Sequence, residues 1–214
     1  MRQGLSFNDV SLVPQYSELE GRGTEHVSIK ANVGFAILET PIISAPMDTV
    51  TGIDMMRALT ACGAVGVHHR YCPKELLLHA ATVGPIAVSP SLGTDFLKEL
   101  KDHVGLATVV LDVAHGDSKK ALDYAEQCVR SGFYVVSANI CTKDSARRYA
   151  NAGVNIYRVG VGSGAACTTR TVAGVGVPQL TSIQDIFQWD STKFIISDGG
   201  ITGSGDIVKA LSAG

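Results

Sequence analysis

From residue 41 onward the chain alternates between short apolar runs and longer amphipathic stretches, with a polar turn or a glycine at each change. The runs are 41–47 (PIISAPM), 63–69 (GAVGVHH), 84–90 (GPIAVSP), 107–116 (ATVVLDVAHG), 133–140 (FYVVSANI), 155–162 (NIYRVGVG) and 193–200 (KFIISDGG). Near-continuous Val/Ile runs of this length suit strands covered on both faces, hence a parallel sheet. Between them the spacing turns helical. Leu122, Ala125 and Val129 share one face with Asp117 or Ser118 placed to cap it, and Ile183, Ile186 and Phe187 fall together farther on. Cys62-Gly63, Ser131-Gly132 and Ala152-Gly153 each put a glycine where a helix gives way to a strand, the position at which a left-handed residue stops a helix. Residues 1–40 lack this rhythm and read as an irregular lead-in with a strand or hairpin, whose apolar pieces are Leu12-Val13-Pro14 and Val27-Ser28-Ile29.

Polar and glycine residues gather at the C-terminal ends of nearly all seven runs: Asp48, His68-His69, Asp112 with His115-Gly116, Asn139, 160–167, and Asp198-Gly199-Gly200. A doubly wound sheet concentrates its chemistry at one switch point, so this spread favours a (β/α)8 barrel. With no linker or low-complexity stretch, the chain reads as one catalytic domain over 1–214. Seven strands are counted, and the last helix closes on Ser212-Ala213-Gly214, the same small-residue-plus-glycine stop that precedes earlier strands. The expected fold is therefore α/β, a TIM (β/α)8 barrel truncated before its eighth strand, with two open sheet edges.

Composition narrows the field further. The 214 residues are 45% hydrophobic, enough for a sizeable core, and 18 basic against 20 acidic side chains give a net charge of −2. That balance offers no footprint for nucleic acid or an anionic membrane. No apolar stretch approaches a membrane span and the start, MRQGLSFNDV, lacks a signal-peptide core, so a cytoplasmic setting is expected. Five scattered cysteines without CxxC spacing argue against a disulfide scaffold and a zinc site. Adjacent His68 and His69 are expected on opposite sides of a strand, a poor metal pair. No GxGxxG follows the first strand and no GxxxxGK[ST] occurs, which removes the main support for Rossmann and P-loop readings.

The stretch 160–170, GVGSGAACTTR, carries most of the candidate chemistry. Its glycines allow backbone groups to approach an ion closely. Cys167 stands where a barrel places a nucleophile, and either Arg170 or oriented backbone N–H groups would have to lower its pKa; the plain alternative is a structural cysteine in a glycine-rich loop. Asp198, beside Gly199-Gly200, suits the vicinal hydroxyls of a ribose, with phosphate at the amides of the following helix start, although a simple strand-to-helix turn reads the same way. Asp112 and Asn139 either position a polar ligand edge or cap helices.

Residues 160–179 (GVGSGAACTTRTVAGVGVPQ) resemble the active-site loop of the family of inosine monophosphate dehydrogenase and guanosine monophosphate reductase. Residues 5–17 (LSFNDVSLVPQYS), 41–51 (PIISAPMDTVT), 111–116 (LDVAHG), 197–200 (SDGG) and 204–207 (SGDI) extend the resemblance, in order and spacing, over almost the whole chain. The resemblance implies that Cys167 attacks C2 of the purine of a nucleoside monophosphate, with Thr169 beside the reacting carbon. It implies that Asp198, Gly199, Gly200, Asn139, Ser44 and Met47 bind the substrate, and that Asp112, Asn139, Gly160 and Gly162 line the side of the NAD cofactor. Backbone carbonyls of Gly162, Gly164 and Cys167 would hold potassium, and the assembly would be a homotetramer.

Within the family, 173–179 (AGVGVPQ) and 199–207 (GGITGSGDI) lean to the dehydrogenase, since the reductase, which uses NADP, usually has tyrosine at Val177 and cysteine at Ile201. The short link from His69 to Gly84 leaves no room for the paired regulatory domains of many dehydrogenases, as in reductases. Ala165 replaces the usual phosphate-binding serine, and Ser137-Ala138 replace glycine-containing pairs before Asn139. An inactive purine-nucleotide-binding barrel is the alternative from another class.

Overall fold

The structure, a computed structural model, describes residues 3–21, 23 and 25–214. Near the N-terminus, β1 (Ala31–Asn32) and β2 (Ile37–Leu38) pair as an antiparallel hairpin. Leu12-Val13-Pro14 and Val27-Ser28-Ile29 belong to neither strand and lie largely in solvent. Apolar content alone did not make them strands, because no neighbouring segment supplies a ladder. The hairpin forms where Gly34 adopts φ +88° and donates its N–H to the Asn32 side chain at 2.9 Å. A Cβ on Gly34 would meet the Phe194 ring at 2.8 Å and Ile156 at 3.1 Å, so the turn packs on the inward-facing side chains at the N-terminal ends of the strands.

Each of the seven apolar runs contains one short strand: β3 (Ile43–Ser44), β4 (Val65–Gly66), β5 (Ile86–Val88), β6 (Thr108–Leu111), β7 (Tyr134–Val136), β8 (Ile156–Val159) and β9 (Phe194–Ser197). Neighbours in sequence are neighbours in space, and every pairing is parallel; a single bridge from His68 to Ile86 joins β4 to β5. No ladder joins β9 to β3 among the described residues. Helices α1 (Ile53–Ala61), α2 (Lys74–Ala81), α3 (Gly93–Val104), α4 (Lys119–Arg130), α5 (Lys143–Asn151), α6 (Thr169–Val172), α7 (Gln179–Trp189) and α8 (Ser204–Ala213) complete the chain. The stops read from the sequence are in place: Cys62, Ser131 and Ala152 cap α1, α4 and α5, and Gly63, Gly132 and Gly153 follow at φ +70°, +90° and +85°. Ser118 caps α4 through its hydroxyl. The buried face of α4 is centred on Ala121, Tyr124, Ala125 and Cys128, with Leu122 and Val129 at its margins, and Phe187 of α7 is partly exposed.

Strand alternation separates two apolar layers. Val67, Ala87, Val110, Val136 and Ile156 form an inner cluster, joined by Ile43 from the first barrel strand and by Phe194 and Ile196 from the last. Side chains from both ends of the sheet meet there only because the sheet curves. Ile86, Val88, Val109, Leu111, Tyr157 and Val159 point outward and pack with Phe96, Leu100, Tyr124, Tyr149 and Ile183 of the helices. The result is the α/β arrangement of a TIM barrel. No helix among the described residues is long and apolar enough to cross a membrane.

Candidate active site

Inward alternation places charged side chains above the inner apolar cluster. Along β9 and just beyond it, Phe194, Ile196 and Asp198 face the same way; along β8, Ile156 and Arg158 do; β6 continues from Val110 to Asp112. These groups form one network. Arg158 Nε donates to Asp198 Oδ2 at 2.8 Å, and its Nη1 lies 3.7 Å from Asp112 Oδ1. Arg70 Nε donates to both the carbonyl and the carboxylate of Asp112 at 3.0 Å, while its guanidinium sits 4.3 Å over the Tyr71 ring. Asn139 Nδ2 bridges Asp198 Oδ2 (2.7 Å) and the Gly160 carbonyl (2.8 Å). Two carboxylates are thus balanced by two guanidinium groups, the pairing that half-buried charges require. Arg158 Nη1 is buried without a hydrogen-bond partner, an unused donor at the mouth of the barrel that a ligand acceptor would satisfy.

Asn139 reaches this network through an irregularity. Between the Val136–Ile156 pairing and the Ile140–Val159 bridge, four residue steps on one strand oppose three on the other. This extra residue acts as a bulge, which interrupts the ladder and re-aims side chains. Buried Ser137 fills the gap: its hydroxyl accepts the Arg158 N–H at 3.0 Å and donates to the Ala138 carbonyl at 2.8 Å. Ser137 is therefore a structural feature of the site, as is Gln179, whose buried amide donates to Val159 O (2.6 Å) and Ser197 Oγ (3.2 Å) and ties β8 to β9.

The glycine-rich loop after β8 lies directly on the turn after β9. A Cβ on Gly160 would sit 2.0 Å from the Asp198 carbonyl oxygen, and one on Gly199 would sit 2.7 Å from both Ser163 Oγ and Gly164 N. Ser163 Oγ donates to that same Asp198 carbonyl at 2.7 Å. Glycine is required at these contacts because only a residue without a side chain lets the two backbones come so close. The interlock brings Gly160, Gly164, Asn139, Asp198, Gly199 and Gly200 into one cluster, while Gly162 lies against the Arg170 stem and the Val175 carbonyl.

Cys167 is exposed at the end of this loop, and its sulfur pairs with the Thr169 hydroxyl at 3.2 Å. The Thr169 hydroxyl and then its backbone N–H hold the thiol below its ordinary pKa, because both stabilise the thiolate. The leading partner, the Thr169 hydroxyl, was neither of the two sources considered from sequence; backbone N–H groups contribute after it, and the Arg170 stem instead packs against Gly162 and Gly176. Burial pushes the other well-covered thiols the opposite way, Cys128 to about 12. The Gly164 carbonyl accepts the Cys167 N–H at 3.0 Å, which leaves one of its lone pairs for a cation. Ser44 sits at the end of β3, where it shares a 2.7 Å hydrogen bond with Thr51, and Met47 is exposed in the following turn.

Ahead of α8, the Thr202 amide is taken up by a side chain of the helix's first turn. Buried Asp206 accepts from the N–H and hydroxyl of Thr202 at 3.0 and 2.9 Å and lies 3.5 Å from Lys209. Gly199 and Gly200, in the turn before α8, adopt φ +85° and +77°.

Sequence reading passed over Arg158 and Arg70. The signal for Arg158 was present: a single cation inside the apolar run NIYRVGVG, in phase with the inward residue Ile156. The expectation that His68 and His69 diverge is corrected. The parallel ladder ends with the His68–Ile86 bridge, the chain leaves the strand at His69, and the two rings stack at 4.6 Å with planes 19° apart.

A profile of the IMP dehydrogenase / GMP reductase domain matches residues 4–90 and 77–214. The chain is 30% identical to an inosine-5'-monophosphate dehydrogenase of Cryptosporidium parvum over 99% of its own length and 65% of that protein. It is 31% identical to that of Borreliella burgdorferi over 100% of its length and 67% of the relative. Over 64% of its length it is 39% identical to a Staphylococcus aureus counterpart, covering 29% of that enzyme. The chain thus spans about two thirds of the first two relatives.

Proposed function

The chain belongs to the IMP dehydrogenase / GMP reductase family, and from that premise we propose that it is an oxidoreductase of purine nucleoside monophosphates, oxidising inosine monophosphate to xanthosine monophosphate. The observation that carries the proposal is the exposed, thiolate-favouring Cys167 in a loop interlocked with the Asn139–Arg158–Asp198 network. In this reading the thiolate bonds to C2 of the base and the C2 hydrogen leaves as hydride. Water then cleaves the resulting thioimidate and frees the sulfur. Thr169 stabilises the sulfur before attack. Both donors to Asp198 use Oδ2, which supports a role for Oδ1 in accepting the ribose hydroxyls. Gly199 and Gly200 would present amides to the phosphate; Ser44 and Met47 would flank the nucleotide.

NAD, when bound, would accept the hydride. Asp112, Asn139, Gly160 and Gly162 would line its side of the site, and the orphaned Arg158 Nη1 fits a polar ligand there. Gly162, Gly164 and Cys167 carbonyls would hold potassium. The same premise extends the proposal to one catalytic domain, a homotetramer and a cytoplasmic setting. The test is mass spectrometry after incubation with a 6-chloropurine ribonucleotide, paired with an assay for NAD reduction by inosine monophosphate. Labelling confined to Cys167 with potassium-dependent reduction is expected; labelling at Cys62, Cys72, Cys128 or Cys141 would overturn it. A second reading, GMP reductase, draws on the short β4–β5 link, which holds α2 as its only α-helix. Turnover of guanosine monophosphate with NADPH would establish it, whereas binding without turnover would leave an inactive barrel.

A further inference from the structure

We propose that His68, His69 and Cys72 form a binding site for a zinc-class divalent cation, beside the nucleotide site and distinct from it. One donor atom from each residue lies within 4.8 Å of the others. A tetrahedral zinc ion with nitrogen bonds near 2.0–2.1 Å and sulfur bonds near 2.3 Å spaces its donors by roughly 3.4–3.7 Å. Closing the set requires the His69 ring to swing out of its 19° stack on His68, so that each lone pair meets the ion in its own ring plane. The trio is the one such cluster of His, Cys and acidic groups among the described residues.

The surroundings prepare the ligands. His68 is buried, and its Nδ1 meets the His69 carbonyl at 2.7 Å, which makes Nδ1 the N–H and leaves the lone pair on Nε2. A carbonyl partner on the far nitrogen is the usual way in which a protein orients a metal-binding imidazole. Backbone contacts hold His68 itself in place, since its N–H bonds Pro85 and its carbonyl accepts from Ala87. Cys72 turns its thiol toward the same His69 carbonyl at 3.7 Å. The Tyr71 amide reaches His69 Nδ1 at a long 3.2 Å, a contact the ring can exchange for metal. The nearest cation, Arg70, is taken up by Asp112 and the Tyr71 ring, so its charge is largely offset. Binding displaces the thiol proton to solvent and forms a metal–sulfur bond with no change of oxidation state. Three protein ligands leave the fourth position to water, and the ion would clamp the end of β4 to the turn before α2.

The test is titration of the full chain with cobalt(II) alone, followed optically, and with zinc(II) against a chromophoric chelator. One equivalent is expected, with a near-ultraviolet thiolate-to-cobalt band. Cys72→Ser should abolish that band and weaken zinc at least tenfold, and His69→Ala should weaken zinc while keeping a cobalt–sulfur band at saturation. Cys62→Ser and Cys167→Ser should leave both readouts unchanged. Circular dichroism checks each variant's fold; if His69→Ala misfolds, Cys72→Ser, a near-isosteric change at a half-buried position, decides between the outcomes. Failure to take up one equivalent, persistence of the band in Cys72→Ser, or its loss in Cys167→Ser would overturn the site.

Discussion

Replacing Ser137 by alanine tests whether the bulge in β7 is held by a side chain. In the native chain the Ser137 hydroxyl accepts the Arg158 N–H at 3.0 Å and donates to the Ala138 carbonyl at 2.8 Å, and the residue is fully buried. Alanine keeps the backbone geometry but removes both bonds. The larger cost is the Arg158 N–H, which then has no ladder partner because the extra residue has displaced the neighbouring carbonyl. A buried donor left unsatisfied costs about 1–3 kcal/mol, and the lost second bond adds roughly 0.5–1 kcal/mol, so a total near 2–3 kcal/mol is expected. With a urea slope of about 2–3 kcal/mol/M, the unfolding midpoint should fall by roughly 1 M. Ser131→Ala is the control: its exposed hydroxyl donates to the Gln127 carbonyl on the helix surface, and it should shift stability by less than about 0.5 kcal/mol. Because Asn139 leaves the same bulge, nucleotide affinity should fall with stability in Ser137→Ala. A midpoint within error of the control would show that the ladder tolerates the gap without the hydroxyl, and would refute the reasoning.

Gly160→Ala forces a Cβ to 2.0 Å from the Asp198 carbonyl oxygen; since backbone must move, a loss above about 3 kcal/mol or failure to fold is expected, and a wild-type melting temperature would contradict it. Iodoacetamide should modify Cys167 first and Cys128 only on unfolding, because the one is exposed and thiolate-favouring and the other buried and pushed up to about 12; peptide mapping reads the order. The pH midpoint for Cys167 alkylation should lie below that of a free thiol, near 8.5, and rise in Thr169→Val. Asp117, held below the ordinary carboxylate range by the Arg148 guanidinium, contributes stability that is present above pH ~4 and fades as pH falls through its lowered value. Asp117→Asn should therefore cost about 1 kcal/mol at neutral pH and nothing in strong acid, measured by denaturant unfolding; a gap that widens with acid would sink the assignment.

The seven strands and the helix stops were legible because they depend on local chemistry. Apolar runs near Val110 and Ile156 and glycines at 63, 132 and 153 need no knowledge of distant neighbours to be read. Cys167 and Asp198 were legible as chemistry at strand ends, and family resemblance tied them to one site. Their tertiary partners were not. Whether Arg158 faces solvent or the barrel interior depends on a register shared with β9, and whether Asn139 turns inward depends on one extra residue opposite Arg158. The stacking of His68 on His69 and the placement of the hairpin at 31–38 rather than at 12–14 or 27–29 follow from where strands stop and what packs beside them. The amino-acid order by itself determined the seven buried strand runs and the helix stops between them, through periodicity and backbone preference. Only the folded arrangement decided which polar groups meet, because register, curvature and bulges are set by contacts between residues far apart in the chain.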